Sequence, residues 1–326
     1  MDQLFEIGRK TFDTPEFRDI TFIEVEAKSI VNRVPGDFLP FDWTINPYRG
    51  CSHACTYCFA RPTHTYLDMN AGRDFETKIV VKVNAPEVLR RELAARRWKG
   101  DHIAMGTGTD PYQRAEGRYR LMRGIIEALV DHRNPFSILT KGTLILRDLD
   151  LLKRAAEVAP VSAAFSIGTL DEPVWRETEP GTPHPRARIE AIRTLSDAGI
   201  PTGVLMAPIL PGISDRPDQL REVVGAAIDA GATHVSPILL HLRPGVREEF
   251  LPWLEKEHPD LVERYIQMYR QPYGPKAMRE SLGRQVTALL ADAGGARRGV
   301  EPARRFFRHD RSADAAERAS EQLRLL

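Results

Sequence analysis

Cysteine is the scarcest chemically useful residue here: the 326-residue chain has three, all between Cys51 and Cys58. An odd, clustered set argues against a disulfide framework and for a reducing compartment. No apolar run approaches the roughly 18 residues needed to span a bilayer. The start, MDQLFEIGRK, lacks a charged-then-apolar secretory pattern. Charge of one sign is missing too. The net charge is +1, so no long-range field favours nucleic acid or an acidic membrane. These absences leave a cytoplasmic enzyme as the expectation, long enough for one large α/β domain.

What is present centres on Asn46 to His64, NPYRGCSHACTYCFARPTH, with its cysteines spaced C-x3-C-x2-C. A short loop with this spacing can aim three thiolates at one point. Thiolates are the usual ligands of iron–sulfur clusters, and a cubane held by three keeps one iron open. Gly50, lacking a Cβ, lets the backbone approach such a cluster. Zinc is the rival, with His53 or His64 completing a Cys3His set. Structural zinc ligands generally come as two separated pairs, however, and there is no second C-x2-C. Inert thiols do not explain the clustering. The iron–sulfur reading is favoured.

This loop, with Tyr57 just before the last cysteine, resembles the signature of the radical S-adenosylmethionine (SAM) superfamily. Together with GTGTDPYQ (Gly106–Gln113) and APILPGISD (Ala207–Asp215), it is similar to the spore photoproduct lyase-like branch, closest to an actinobacterial group without a settled activity. The resemblance runs from Phe38 to about Glu257. It implies a partial (β/α)6 TIM-type barrel, a [4Fe-4S] cluster, SAM and a reductant such as flavodoxin or ferredoxin. It also implies cleavage of SAM to a 5′-deoxyadenosyl radical that abstracts hydrogen from a substrate.

Along the chain, residues 1–37 read as an N-terminal extension with a short strand at Thr21–Glu26. Residues 38–245 read as the barrel, and residues 246–326 as a helical region with a basic tail. Strands are expected at Phe41–Tyr48, Thr77–Val83, His102–Gly106, Phe136–Thr140, Val161–Ile167, Thr202–Ala207 and Thr233–Leu239. Helices are expected at Phe59–Asn70, Pro86–Trp98, Tyr119–His132, Leu149–Val158, Pro185–Ala198 and Asp218–Ala230. Short strands alternating with helices indicate βαβ units and a parallel sheet. Counting the strand before the cysteine loop gives six units, which favours the barrel. A doubly wound open sheet is the alternative.

Barrel chemistry sits on loops after the strands' C-terminal ends. There the resemblance implies that Gly106, Thr107, Gly108, Thr109 and Asp110 meet the SAM amino group, and Lys141 its carboxylate. Ser166 would meet the ribose or methionyl part. Ala207–Gly212 would flank the adenine, with backbone contacts from Tyr57. Taken singly, each reads equally as a turn, a solvated charge or a strand end. Glu177-Thr178-Glu179-Pro180 with Arg186 and Arg188 resembles an E-P…R pattern near the cofactor in relatives, though an exposed ion pair at a helix start explains it as well. His234, His241 and Arg243 mark the last strand's end, where substrate could enter or where the chain is merely polar.

Helices are also expected at Glu248–Glu257, Pro259–Arg270, Lys276–Ala293 and Ser312–Leu325. The tail carries Arg297, Arg298, Arg304, Arg305, Arg308 and Arg311 with Phe306 and Phe307, against Glu301 and Asp310. It admits nucleic acid, but a solvated terminus is the favoured reading. Spore photoproduct lyase is thought to return hydrogen from a cysteine outside the cluster motif. No fourth cysteine exists here. Either a tyrosine such as Tyr66 or Tyr112 substitutes, or the substrate is not a thymine photoproduct. The second is preferred.

Overall fold

β-Branched and aromatic residues alternate with helix formers through most of the chain, and the backbone follows that pattern. The computed structural model describes residues 4–35, 39, 41–295 and the backbone of 301–302. Its strands are β1 (Leu4–Lys10), β2 (Thr21–Ala27), β3 (Val31–Arg33), β4 (Trp43–Ile45), β5 (Tyr48–Arg49) and β6 (Lys78–Lys82). Then come β7 (Ile103–Met105), β8 (Phe136–Thr140), β9 (Val161–Ser166), β10 (Thr202–Ile209), β11 (His234–Leu239) and β12 (Glu301–Pro302).

The main sheet has the order β12-β11-β10-β9-β8-β7-β4-β3. From β4 to β11 every pairing is parallel, and spatial order equals chain order. A doubly wound sheet must reverse its strand order at a switch point. This one never does, so it is the singly wound, unclosed barrel of six parallel strands, with the two-residue β12 added in parallel on one edge and β3 antiparallel on the other. No helix among the described residues is long and apolar enough to cross a membrane.

Side-chain alternation decides what each face does. Met105, Ile138, Phe165, Val204, Met206 and Val235 join helix residues such as Ile125, Leu152, Ile192, Val224 and Val286 in one core cluster. The neighbours Ser137, Leu139, Ala164, Ser166, Leu205, Ser236 and Ile238 therefore face the barrel interior. Ile238 is 37% exposed there, so the interior is open at that level.

Several boundaries differ from expectation for identifiable reasons. Phe41–Tyr48 is two strands in two sheets, interrupted at Asn46-Pro47. Asn46 Oδ1 accepts the Gly108 amide at 3.0 Å, and the Pro47 carbonyl accepts the Lys82 amide at 3.0 Å. The cysteine loop thus leaves β5, not a barrel strand. Thr77–Val83 is a strand, but it belongs to a second sheet of order β1-β2-β6-β5. The N-terminal segment supplies β1 and β2 to that sheet and β3 to the main one.

Tyr119–His132 breaks into helices Arg114–Tyr119 and Leu121–Asp131 at Arg120, which takes φ +54°. The buried Glu116 carboxylate accepts the Leu121 and Met122 amides and so restarts the helix. Phe59–Asn70 is a 3-10 helix over Arg61–Leu67. Strand β10 continues two residues past the expected end at Ala207, through Pro208 and Ile209. The helices Arg247–Glu257, Val262–Met268 and Lys276–Asp292 follow the barrel. Phe38, the tail arginines, Phe306, Phe307 and Ser312–Leu325 lie outside the described residues.

Gly106 shows how tightly the rim is built. It takes φ +87°, and a Cβ there would stand 1.8 Å from the Leu139 carbonyl oxygen. Gly106→Ala should therefore lose roughly 3 kcal/mol or more through left-handed strain and backbone displacement. Gly225→Ala, on a helix with nothing within 4 Å of the new atom, should gain roughly 0.5–1 kcal/mol. Urea denaturation of both variants measures the contrast.

Candidate active site

The cysteine loop is positioned from beneath by backbone geometry. Cys51 donates its amide to the Phe75 carbonyl at 2.8 Å. Gly50 has φ +78°, and a Cβ there would meet His64 Cε1 and the Phe75 oxygen at 2.9 Å. Packing against the protein therefore imposes glycine here, whatever else approaches. The buried Gln113 amide grips both sides of Cys51. Its Oε1 accepts the Ser52 amide at 3.0 Å, and its Nε2 donates to the Gly50 carbonyl at 3.0 Å. On the other side, Arg61 donates through Nε and Nη2 to the Cys55 carbonyl at 3.2 and 2.9 Å. Gln113 and Arg61 lie within the Gly106–Gln113 and Asn46–His64 motifs, but a single sequence gives no signal for clamps that close through side chains.

The three thiols suit a metal centre chemically. Cys51 and Cys55 are buried and Cys58 is partly so. Burial pushes the Cys55 thiol up to about 12, with partial relief from Lys141. It pushes Cys51 well above the ordinary thiol range, where Asp110, Cys58 and Cys55 add to the effect. Three adjacent sulfurs whose ionisation is opposed by burial and by one another need positive charge among them, which iron would supply. Among the described residues no three or more His, Cys, Asp or Glu side chains are grouped to share one ion. His64 Nε2 lies 3.0 Å from the Lys78 carbonyl, and His53 Nδ1 lies 3.4 Å from Asp110.

Asp110 fastens the loop after β7 to its surroundings. One oxygen accepts the Thr140 hydroxyl at 2.6 Å and the Tyr112 amide at 2.9 Å; the other accepts the Lys141 amide at 2.6 Å. Burial raises its pKa, but His53, the Thr140 hydroxyl and the Lys141 amide outweigh this and hold it at about 2. Asp110 is thus committed to protein donors, where the sequence had suggested an ammonium partner. Thr109 donates to the Tyr48 carbonyl at 2.9 Å. Gly106, Thr107 and Gly108 stand half-buried beside it.

Lys141 follows β8, as expected, and donates from Nζ to Ser166 Oγ at 2.9 Å; Ser166 in turn donates to the Ala207 carbonyl at 2.7 Å. The Lys141 ammonium also lies 5.7 Å from the centre of the Tyr57 ring and 4.0 Å from Glu179. Burial opposes its charge, yet Glu179 and Cys55 prevail and its pKa is raised.

Glu179 joins these parts. Its carboxylate accepts the Tyr57 hydroxyl, the Arg188 guanidinium and, at 3.3 Å, the Thr182 hydroxyl. Burial alone would raise its pKa, but Arg188 and Lys141 hold it below the ordinary carboxylate value. Arg188, 0% exposed, also donates to the Ser166 carbonyl at 2.9 Å. The E-P…R pattern therefore divides. Glu179 and Arg188 form a buried pair in the site, while Arg186 pairs with Glu222 on the surface.

The structure does not bring the remaining residues into this group. Tyr112 is 1% exposed and its hydroxyl donates to Asp148 at 3.1 Å, beneath the loop; Tyr66 is 77% exposed on the 3-10 helix. His234 packs against Gly203, where a Cβ would meet its ring at 1.7 Å.

Two outcomes follow from the clamps. Asp110, depressed when folded, contributes stability above the ordinary carboxyl value that is lost as pH falls from about 4 towards 2. Asp110→Asn in the metal-free protein should remove roughly 2 kcal/mol of that pH dependence, read from urea midpoints across this range. Gln113→Ala leaves the Gly50 carbonyl and Ser52 amide buried without partners, costing roughly 2–4 kcal/mol. It should lower the iron bound per reconstituted chain while the far-ultraviolet circular dichroism stays unchanged.

Comparison with known proteins agrees with this geometry. The family model described as the Radical SAM superfamily matches residues 45–224. An uncharacterised protein of Mycobacterium tuberculosis is 51% identical over 279 residues, covering 85% of this chain and 82% of its own. One from Methanocaldococcus jannaschii is 32% identical over 198 residues, covering 60% of this chain and 70% of its own. Spore photoproduct lyase complexed with dinucleoside spore photoproduct superposes with a TM-score of 0.62 at 16% identity, over 86% of this chain and 80% of that one. That likeness is one of fold. The chain belongs to the radical SAM superfamily, whose enzymes use a [4Fe-4S] cluster and S-adenosylmethionine.

Proposed function

We propose that this enzyme generates a 5′-deoxyadenosyl radical for hydrogen abstraction from a substrate other than a thymine photoproduct. The observation that carries the cofactor site is the convergence of Cys55, Tyr57, Lys141, Ser166, Glu179 and Arg188 around the barrel rim. When bound and reduced, a [4Fe-4S] cluster with one open iron supplies the electron that splits the SAM sulfonium. Cys51, Cys55 and Cys58 would hold the other three irons.

Lys141 is the carboxylate partner in this reading. Its ammonium is kept charged by Glu179 and steered by Ser166, which itself is held by Ala207. The main chain from Gly106 to Thr109 faces the ammonium of SAM, with Asp110 setting the loop's position. Tyr57 offers its backbone to adenine, while its hydroxyl is retained by Glu179. Ala207 to Gly212 lie along the adenine, the first three as the end of β10. The helices after residue 246 cover the loop: Phe250, Leu254, Tyr265 and Tyr269 pack in one apolar cluster with Cys55 and Tyr57. They exclude water and oxygen from the radical's surroundings.

The substrate assignment rests on the hydrogen donor. The chain has no cysteine beyond the three cluster ligands. Tyr112 is locked in a buried hydrogen bond with Asp148. A cytoplasmic setting and a flavodoxin- or ferredoxin-type electron donor complete the proposal.

The test is 5′-deoxyadenosine formation by the anaerobically reconstituted protein with SAM and a strong reductant. The wild type should form it, and Cys51→Ala, Cys55→Ala and Cys58→Ala should not. Lys141→Met should weaken SAM binding roughly tenfold or more, the loss of a charge-assisted hydrogen bond. Absence of product from a fully loaded protein with bound SAM would favour a non-catalytic metal protein instead.

A further inference from the structure

Beyond the last parallel strand the chain continues as Leu240-His241-Leu242-Arg243. Leu240 and Leu242 pack with Cys55 and Tyr57, so alternation turns His241 and Arg243 to the opposite side. There they meet the connector that precedes helix Lys276–Asp292. The Leu242 amide donates to the Pro272 carbonyl at 2.8 Å, and His241 pairs antiparallel with Tyr273. The two rings stand 5.5 Å apart.

Tyr273 is 46% exposed and collects two cations. The Arg243 guanidinium carbon lies 5.5 Å from its ring centre and that of Arg279 lies 5.9 Å away. Arg243 also donates to the Tyr273 hydroxyl, and Arg279 donates through Nε to the Gly274 carbonyl at 3.2 Å. Among the described residues no carboxylate pairs with either guanidinium. The neighbouring Glu280 is taken by Lys276 at 3.7 Å. His241 Nδ1 is buried and has no hydrogen-bond partner. Burial, with Arg243 adding to it, keeps that ring neutral at physiological pH.

The surrounding stretch is unusual for a chain of net charge +1. Between residues 264 and 284 it carries Arg264, Arg270, Lys276, Arg279 and Arg284 against Glu280 alone. Two uncompensated guanidiniums held at one ring repel each other, and an anion between them removes that cost. Donors approaching from several directions suit the three or four oxygens of a tetrahedral anion better than the two of a planar carboxylate.

We propose that His241, Arg243, Tyr273 and Arg279 form a binding site for a phosphate group, on the outer side of the segment that packs against the cysteine loop. The phosphate belongs either to a polynucleotide or to a small phosphate-bearing molecule. The inference stands apart from the SAM assignment, because none of the four residues belongs to that site.

The experiment titrates the full-length reconstituted protein with two probes: inorganic phosphate by calorimetry, and fluorescein-labelled single-stranded oligothymidylate by anisotropy at several salt concentrations. Arg243→Gln/Arg279→Gln should weaken whichever probe binds by about 10- to 100-fold, and for the single-stranded oligonucleotide lower the salt slope by about 1.4. Tyr273→Ala should weaken it as well. Uncoupled 5′-deoxyadenosine formation should be unchanged in both variants, which separates this site's failure from failure of the SAM reading. Binding of the oligonucleotide alone identifies a polynucleotide, and binding of inorganic phosphate identifies a small-ligand site. Absence of binding by either probe, or equal binding by wild type and double variant, overturns the proposal.

Discussion

The buried Glu179 carboxylate is the interaction on which the rest of the site depends. It sits after a short helix, Glu172–Thr178, that the sequence pattern did not reveal. It receives Tyr57 from the cysteine loop, Arg188 from the following helix and Thr182 from the turn between them, with Lys141 4.0 Å away. Burying an isolated carboxylate or guanidinium is prohibitive, and a buried pair persists only when its remaining donors and acceptors are also used. Arg188 meets that requirement through the Pro183 and Ser166 carbonyls. The charge pair therefore fixes the distance between the cysteine loop and strand β9, which no apolar contact would specify as sharply.

On the opposite flank the fastening runs through amide groups and one ionised carboxylate. Gln113 and Asn46 contribute amide groups to backbone partners, and Asp110 collects hydroxyl and amide donors. The cysteine loop is thus held by a paired-charge cluster on one side and by hydrogen bonds to Gln113, Asn46 and the Asp110 carboxylate on the other. Between them lie the apolar contacts of Phe75 and Ala60 below and the post-barrel helices above. Such a housing combines burial with backbone amides of His53, Ala60 and Arg61 beside the Cys51 and Cys58 sulfurs, and both influence a cluster's potential.

Much of this was legible in the chain itself, and the failures have definite causes. The cysteine spacing named the site because three thiols in a row of eight residues have few other uses. Six strands were found where β-branched runs end in turn residues. Asn46-Pro47 was missed as a break because its neighbours look strand-like on both sides, and only the partners in two different sheets separate them. Thr77–Val83 read correctly as a strand, yet nothing local says which sheet receives it. Glu179 and Arg188 were indistinguishable from a surface pair because burial is a property of the fold. Arg186, two residues away, is the surface pair that the sequence suggested.

Among the described residues the unclosed sheet has two edges, and both end in very short strands. Val31–Arg33 pairs antiparallel on one side, and Glu301–Pro302, which includes a proline, pairs on the other. Unpaired edge groups invite another chain to add a strand, and brevity and proline are the means by which natural sheets discourage it. An incomplete barrel can thus keep its interior accessible without becoming a template for aggregation.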